Sequence, residues 1–207
     1  MQTLADQIAP ITGRVQARSP ATDPRTPQGQ RWLRAAFERI RRNVNDAASK
    51  PGYDVLESVI SGELKPVEER TTSQTYWEHI LLRCIGDVAL DIQRNYSESL
   101  RLASCGSAEL IANGHEGIAL SARRLDDLLA TTDYVIVDTV IRDTGATGGW
   151  VTERWGYRDE RIKGNQIVDG IDTFLIRNGR IEVKMINYTV EPVQPSQEFQ
   201  SRIGVSA

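Results

Sequence analysis

The chain of 207 residues is poor in cysteine, with only Cys84 and Cys105. That excludes a disulfide framework and leaves too few thiols for a structural zinc site. No apolar run approaches the ~18 residues that span a bilayer, so no membrane partner is expected. The opening stretch, MQTLADQIAPITGRVQARSP, lacks an apolar core of the secretory kind, and a cytoplasmic location is the expectation. Without an export signal, the sequons at Asn95 and Asn187 carry little meaning. A one-sided charge is missing too. The formal net charge is only −3, so nothing draws the whole molecule toward phosphate, and no nucleic-acid partner is expected. What is present is 40% apolar and 26% charged residues, enough for one hydrophobic core.

The chain divides by composition. Residues 1–30 read as a tail, because the segment SPATDPRTPQG has almost nothing to bury. Residues 31–74 read as a helical N-terminal extension. Trp32, Leu33, Ala36, Phe37, Ile40 and Val44 recur at helical spacing, with Arg34, Arg39, Arg41 and Arg42 on the other face. A short helix is expected after Pro51-Gly52, over 53–60. This half is too small and too polar to hold a core alone, so it leans on the rest of the chain. The main domain is expected over 75–192, with a C-terminal tail at 193–207.

Within that domain helices come first. Tyr76, Trp77, Ile80, Leu81, Cys84 and Ile85 form one helical stripe. Gly86-Asp87 breaks it, and Asp87 is placed to cap a second short helix through Gln93. Next come a strand over 98–103, a loop at Cys105-Gly106-Ser107 and a third helix over 116–129. Beyond Ala130 the signals are β: YVIVDTVIR, then WVTERWGYR, then 167–177, then IEVKMINYTVE after the hairpin signal Asn178-Gly179. The predicted class is α+β, a cone-shaped roll of three helices packed on a curved antiparallel sheet, with a helical N-terminal extension.

This order, with Gly86-Asp87, the opening Gly114-His115-Glu116-Gly117-Ile118 and the ending IDTFLIRNGRIEVKMINYTVE, resembles the nuclear transport factor 2-like superfamily. Its cystatin-like members include SnoaL-like, ketosteroid-isomerase-like and limonene-epoxide-hydrolase-like proteins. The resemblance covers about residues 75–191. It implies a cone with an apolar pocket, and isomerases, cyclases, dehydratases, epoxide hydrolases and non-enzymatic binders share that fold. Only pocket residues choose among them.

Strand parity and the resemblance together nominate those residues. The segment VTERWGY is similar to the epoxide-hydrolase strand that carries a catalytic Arg and, two residues later, an Asp. Arg154 matches the Arg, whereas Gly156 stands at the Asp, and the second acid falls near Asn187. Alignment through IDTFLI instead places Asp172 on the oxyanion-hole acid of ketosteroid-isomerase-like proteins. That role needs apolar surroundings, which Val168, Phe174 and Ile176 would supply. The proton-abstracting acid of that group falls near Ser104 or Cys105. The helix tyrosine falls near His79, although the helical wheel favours Tyr76.

Asp172, Arg154 and Tyr76 are thus the catalytic candidates. Trp150, Phe174, Asn187, Trp77, Met185 and His79 are the substrate-binding candidates. Arg154 either binds a substrate oxygen or neutralises Asp172. Asp138 is expected to face solvent, His115 to sit on the surface or at a cap, and Cys105 to be inert. The Asp143-Thr144-Gly145 triplet imitates an aspartic-protease signature but reads as a hairpin turn. Trp155, Tyr157 and Tyr188 are expected on the outer sheet face as the patch of a homodimer. Two functions remain open. One is acid/base isomerisation, cyclisation or hydration of a small apolar molecule with a carbonyl or hydroxyl, needing no metal or cofactor. The other is a non-catalytic binding or dimerisation module of the same fold.

Overall fold

The computed structural model describes residues 23–106, 109–128, 135–145, 148–158 and 164–193. Most of the expected tails falls outside these residues. The protein is α+β, with five helices among the described residues on a mixed, curved sheet.

The helices are α1 (Pro27–Arg41), α2 (Asp46–Ser61), α3 (Thr72–Ile85), α4 (Val88–Asn95) and α5 (Gly114–Leu128). The strands are β1 (Tyr96–Cys105), β2 (Glu109–Asn113), β3 (Val135–Asp143), β4 (Gly149–Arg158), β5 (Asn165–Arg177), β6 (Arg180–Asn187) and the short β7 (Glu191–Pro192). The sheet order is β2-β1-β6-β5-β4-β3, with β7 beside β5. The meander β3–β6 is antiparallel as predicted. β1 runs parallel to β6, and β2 is a strand where a loop and turn were expected. No described helix is long and apolar enough to cross a membrane.

Local chemistry fixes the helix ends. Thr26 caps α1, its hydroxyl accepting from the Gly29 amide, and Pro27 opens the helix. α1 therefore starts inside the expected tail. Asn45 caps α2, which runs through Pro51 rather than starting after it. α3 begins with a reciprocal capping box, Thr71 with Gln74. Asp87 caps α4 through the Leu90 amide, as its position after Gly86 predicted. Asn178-Gly179 turns with both residues at positive φ, the hairpin geometry those residues favour.

α3 is the central element. Every residue from Tyr76 to Leu82 is buried. One side packs on the sheet, where the Tyr76 ring meets Phe174. The other side packs on the N-terminal helices: Trp77 meets Phe37, and its indole donates to the Ala48 carbonyl at 2.9 Å. Gly52 sits where a Cβ would come within 2.8 Å of the Phe37 ring, so α2 approaches closely there. A single apolar cluster joins the N-terminal helices to the sheet.

Candidate functional site

Between α3 and the sheet lies a strip of buried polar side chains. α3 contributes Tyr76, His79 and Arg83, spaced by three and four residues and so on one face. α4 contributes Asp91 and Asn95, and β1 contributes Tyr96. The sheet supplies Glu153 and Trp155 from β4, Asp172 and Phe174 from β5, and Lys184 from β6. Glu153 lies directly opposite Asp172 across β4 and β5, and Phe174 lies opposite Lys184 across β5 and β6. Tyr76, Glu153 and Asp172 are only 0%, 4% and 5% exposed.

The contacts form a chain. The Tyr76 hydroxyl donates to Glu153 Oε2. The Trp155 indole N–H donates to Asp172 Oδ1 at 2.8 Å, and Lys184 Nζ pairs with Asp172 Oδ2 at 3.2 Å. Lys184 Nζ also lies 3.5 Å from His79 Nε2 and 4.8 Å from the centre of the Phe174 ring. On its far side His79 Nδ1 meets Asp91 Oδ1 at 3.0 Å. Asp91 in turn accepts from Arg83 Nε at 2.5 Å and from Asn95 Nδ2 at 3.0 Å. Arg70 holds Asn95 at 2.6 Å. The Tyr96 hydroxyl stands 3.3 Å from His79 Nδ1.

These surroundings set the protonation states. Burial, reinforced by the charge of Asp172, pushes the Glu153 carboxyl up to about 8, so it is neutral at pH 7. Burial likewise pushes the Tyr76 hydroxyl well up. It works to raise Asp91 as well, but His79 and Arg83 overcome it and hold that carboxyl at about 2. His79 is lowered by burial, against the pull of Asp91, and is therefore a neutral imidazole at pH 7. Asp91, an obligate acceptor, places the ring proton on Nδ1, which leaves Nε2 to accept from Lys184. Burial opposes the Lys184 ammonium, yet the neighbouring Tyr96 oxygen and the Asp172 carboxylate outweigh it and its pKa is raised. Asp172 thus sits against Lys184, and Asp91 against Arg83, as oppositely charged partners.

The structure sorts the sequence-predicted residues into three places. Tyr76, His79, Asp172 and Phe174 come together on the inner face. Arg154, Trp150, Met185 and Asn187 do not, because all four are exposed on the outer face. Arg154 is opposite Ile171 on that face, so it does not pair with Asp172; Lys184 does. The inward set of β4 is Val151, Glu153, Trp155 and Tyr157, the reverse of the expected one, since the larger apolar side chains go to the core. Trp155, Tyr157 and Tyr188 are buried and cannot form the outer dimer patch. Trp77 is also elsewhere, on the side of α3 that faces the N-terminal helices.

Sequence reasoning missed Glu153, Lys184, Asp91 and Arg83. A lone acid between Val151 and Trp155 was the available signal for Glu153. Asp138 is exposed as expected, and His115 holds the Tyr96 carbonyl at 3.0 Å. The Asp143 triplet forms a turn, Asp143 Oδ1 accepting from the Gly145 amide at 3.0 Å. Among the described residues no group of three or more His, Cys, Asp or Glu side chains is arranged to hold a metal ion.

No protein-family model matches the chain, and no curated protein does. Solved structures do. A cystatin-like protein of unknown function from Methylobium petroleophilum shares 13% identity at a TM-score of 0.45, covering 66% of this chain and 91% of its own. An NTF2-like protein of unknown function from Cytophaga hutchinsonii shares 13% at 0.41, covering 60% and 94%. A protein provisionally named polyketide cyclase from Xanthomonas campestris pv. campestris shares 14% at 0.40, covering 68% and 92%. At such identities no activity transfers from them to this chain.

Proposed function

We propose that the inner polar strip is an acid/base site for isomerisation, cyclisation or hydration of a small, apolar, uncharged molecule bearing a carbonyl or hydroxyl. The observation that supports this most is the pairing of Glu153 with Asp172. Two buried carboxyls face each other on adjacent strands, one neutral and one in an ion pair. A neutral acid beside an ionised base is what proton removal from one substrate atom and delivery to another requires. Asp172 takes the proton. Glu153 gives one, and the Tyr76 hydroxyl orients the substrate oxygen. The internal pairing of Asp172 with Lys184 and of Asp91 with Arg83 favours a neutral substrate over an ion.

The test is hydrogen exchange at the α-carbon of cyclic and unsaturated ketones in deuterated water, monitored by NMR. Wild-type protein is expected to accelerate exchange, and Asp172→Asn and Glu153→Gln each to cut the rate about 100-fold or more. The outer-face variant Arg154→Ala should leave it unchanged. Exchange that survives Asp172→Asn overturns the assignment.

A second reading, a non-catalytic binding or dimerisation module, draws support from the near-complete burial of the strip and from its internally paired charges. We further propose that the outer face pairs with a second copy of the chain. The register row Val140–Thr152–Thr173–Met185–Ala103–Ile111 crosses six strands with no charged residue. Within it Val140, Met185 and Ile111 are 63%, 49% and 75% exposed. Arg142 flanks the row at one end of β3 and Asp138 at the other. Two copies stacked with strands reversed would set Arg142 against Asp138 of the partner subunit.

A further inference from the structure

We propose that Lys184, held in place by His79, is a positioning residue that keeps the shared proton of the carboxyl pair on Glu153 and leaves Asp172 as the base. The inference deepens the acid/base reading, since it says what gives two facing carboxyls opposite roles. Burial alone does not distinguish them. Both lie on the inner face, directly opposed across β4 and β5, and two anions there would repel.

What differs is their partners. Glu153 meets the Tyr76 hydroxyl. Asp172 meets a cation, Lys184, at 3.2 Å, and an N–H donor, Trp155, at 2.8 Å. A carboxylate with a cation and a donor is favoured over one with a hydroxyl. The single proton therefore goes to Glu153.

The ammonium is aimed as well as present. Its contacts are Asp172, His79 Nε2 and the face of Phe174, which matches its three donors. His79 accepts only with its proton on Nδ1, and Asp91 enforces that tautomer. Arg83 and Asn95 hold Asp91 in turn. The titratable groups around the pair come from four elements: Tyr76 and His79 from α3, with Arg83 behind His79, Asp91 from α4 beyond His79, Tyr96 from β1, and Lys184 from β6. Among these the cation in direct contact with a member of the pair is Lys184, and the member it touches is Asp172.

The test is an NMR pH titration without substrate, so its outcome is independent of the exchange assay. Labelled side-chain carboxyls report which acid titrates. The Trp155 indole N–H, assigned through Trp155→Phe, reports the charge on its acceptor, Asp172. In wild-type protein the Glu153 carboxyl is expected to titrate in mildly alkaline solution while the Trp155 resonance barely moves. In Lys184→Met the proton is expected to pass to Asp172, so the Asp172 carboxyl titrates and Trp155 shows a clear step. His79→Leu keeps the ammonium but frees it. There the Trp155 step appears at smaller amplitude, and the Glu153 midpoint does not fall, because a loosened cation stabilises the carboxylates less. Lys184→Arg restores a cation and should keep the wild-type pattern. The proposal is overturned if the variants lose stability while Glu153 still titrates alone and Trp155 stays silent. It is equally overturned if Lys184→Arg behaves as Lys184→Met does.

Discussion

The two faces of the sheet use the same strands for opposite purposes. On the inner face each charge has its own partner: Asp172 has Lys184, and Asp91 has Arg83 and His79. On the outer face the central row is uncharged and half-open to water, with charges such as Arg154, Arg142 and Asp138 set to either side. A usual globular sheet buries its apolar residues and solvates its polar ones. Here the buried face carries polar chemistry embedded in an apolar core, and the exposed face carries apolar surface. Buried charges are costly unless paired, and exposed apolar rows present area that a partner would cover. Both departures point to function, one inside and one outside.

The sharpest way to break the comparison is to unpair the inside. Asp91 is 0% exposed and accepts hydrogen bonds from Arg83 and Asn95 while holding His79. Asp91→Ala takes the carboxylate away from the Arg83 guanidinium and removes the anchor of His79. A loss of about 3–5 kcal/mol is expected from breaking one partner out of a buried ionic network, read as a fall in the urea midpoint. A cost below about 1 kcal/mol would mean that the network is solvated and that the inner face is not a closed polar layer.

A milder intervention targets the proton rather than the pairing. Glu153 has its pKa raised from 4.5 to about 8. Between those values the folded protein keeps a proton that the unfolded chain has released. Its stabilising effect is therefore complete below about pH 4.5 and is lost as pH rises through 8, by a few kcal/mol in all. Asp91, lowered from 3.8 to about 2, behaves oppositely: its contribution is present above about pH 4 and lost as pH falls through 2. His79, also lowered, adds stability as pH rises toward 6.5 and partly masks the Glu153 slope. Glu153→Gln should remove only the descending limb between pH 5 and 8. The difference between variant and wild-type stability isolates it, since the His79 contribution cancels. An unchanged slope would show that Glu153 is ionised in the fold.

How much of this was legible beforehand differs by element. The meander was readable because β-branched runs and Asn178-Gly179 are local signals. In β5 the inward set through Asp172, Phe174 and Ile176 was right, since apolar residues share its parity. In β4 both alternating sets contain a tryptophan. The resemblance at Arg154 chose the wrong set, although Val151, Trp155 and Tyr157 outweigh Trp150 in apolar bulk. β6 resists parity because a register shift near Ile181 changes which residues face inward. His79 ranks below Tyr76 on a helical wheel that assumes one buried face, whereas α3 is enclosed on both sides. The Thr71–Gln74 capping box was a local signal for the start of α3 that the apolar stripe, beginning at Tyr76, obscured. Lys184 with Asp172, and Asp91 with His79, pair across elements distant in sequence, so no local pattern announces them.

The outer face offers the smallest effect on folding and the cleanest contrast. Val140 and Met185 lie in the uncharged row, with side chains largely in water in the single chain. Replacing both with glutamate removes little packing, so the stability of the monomer should move by no more than about 0.5 kcal/mol. If the row is an interface, the same change buries like charges against like charges in the assembled pair, and association should be lost. Light scattering on a sizing column separates the two effects: wild-type protein at twice the chain mass, the double variant at one, with near-identical unfolding curves for the dilute proteins. A wild-type protein that elutes as a monomer at high concentration would leave the apolar row without this occupant. The inner face would be untouched by that result, because its charges are satisfied within one chain.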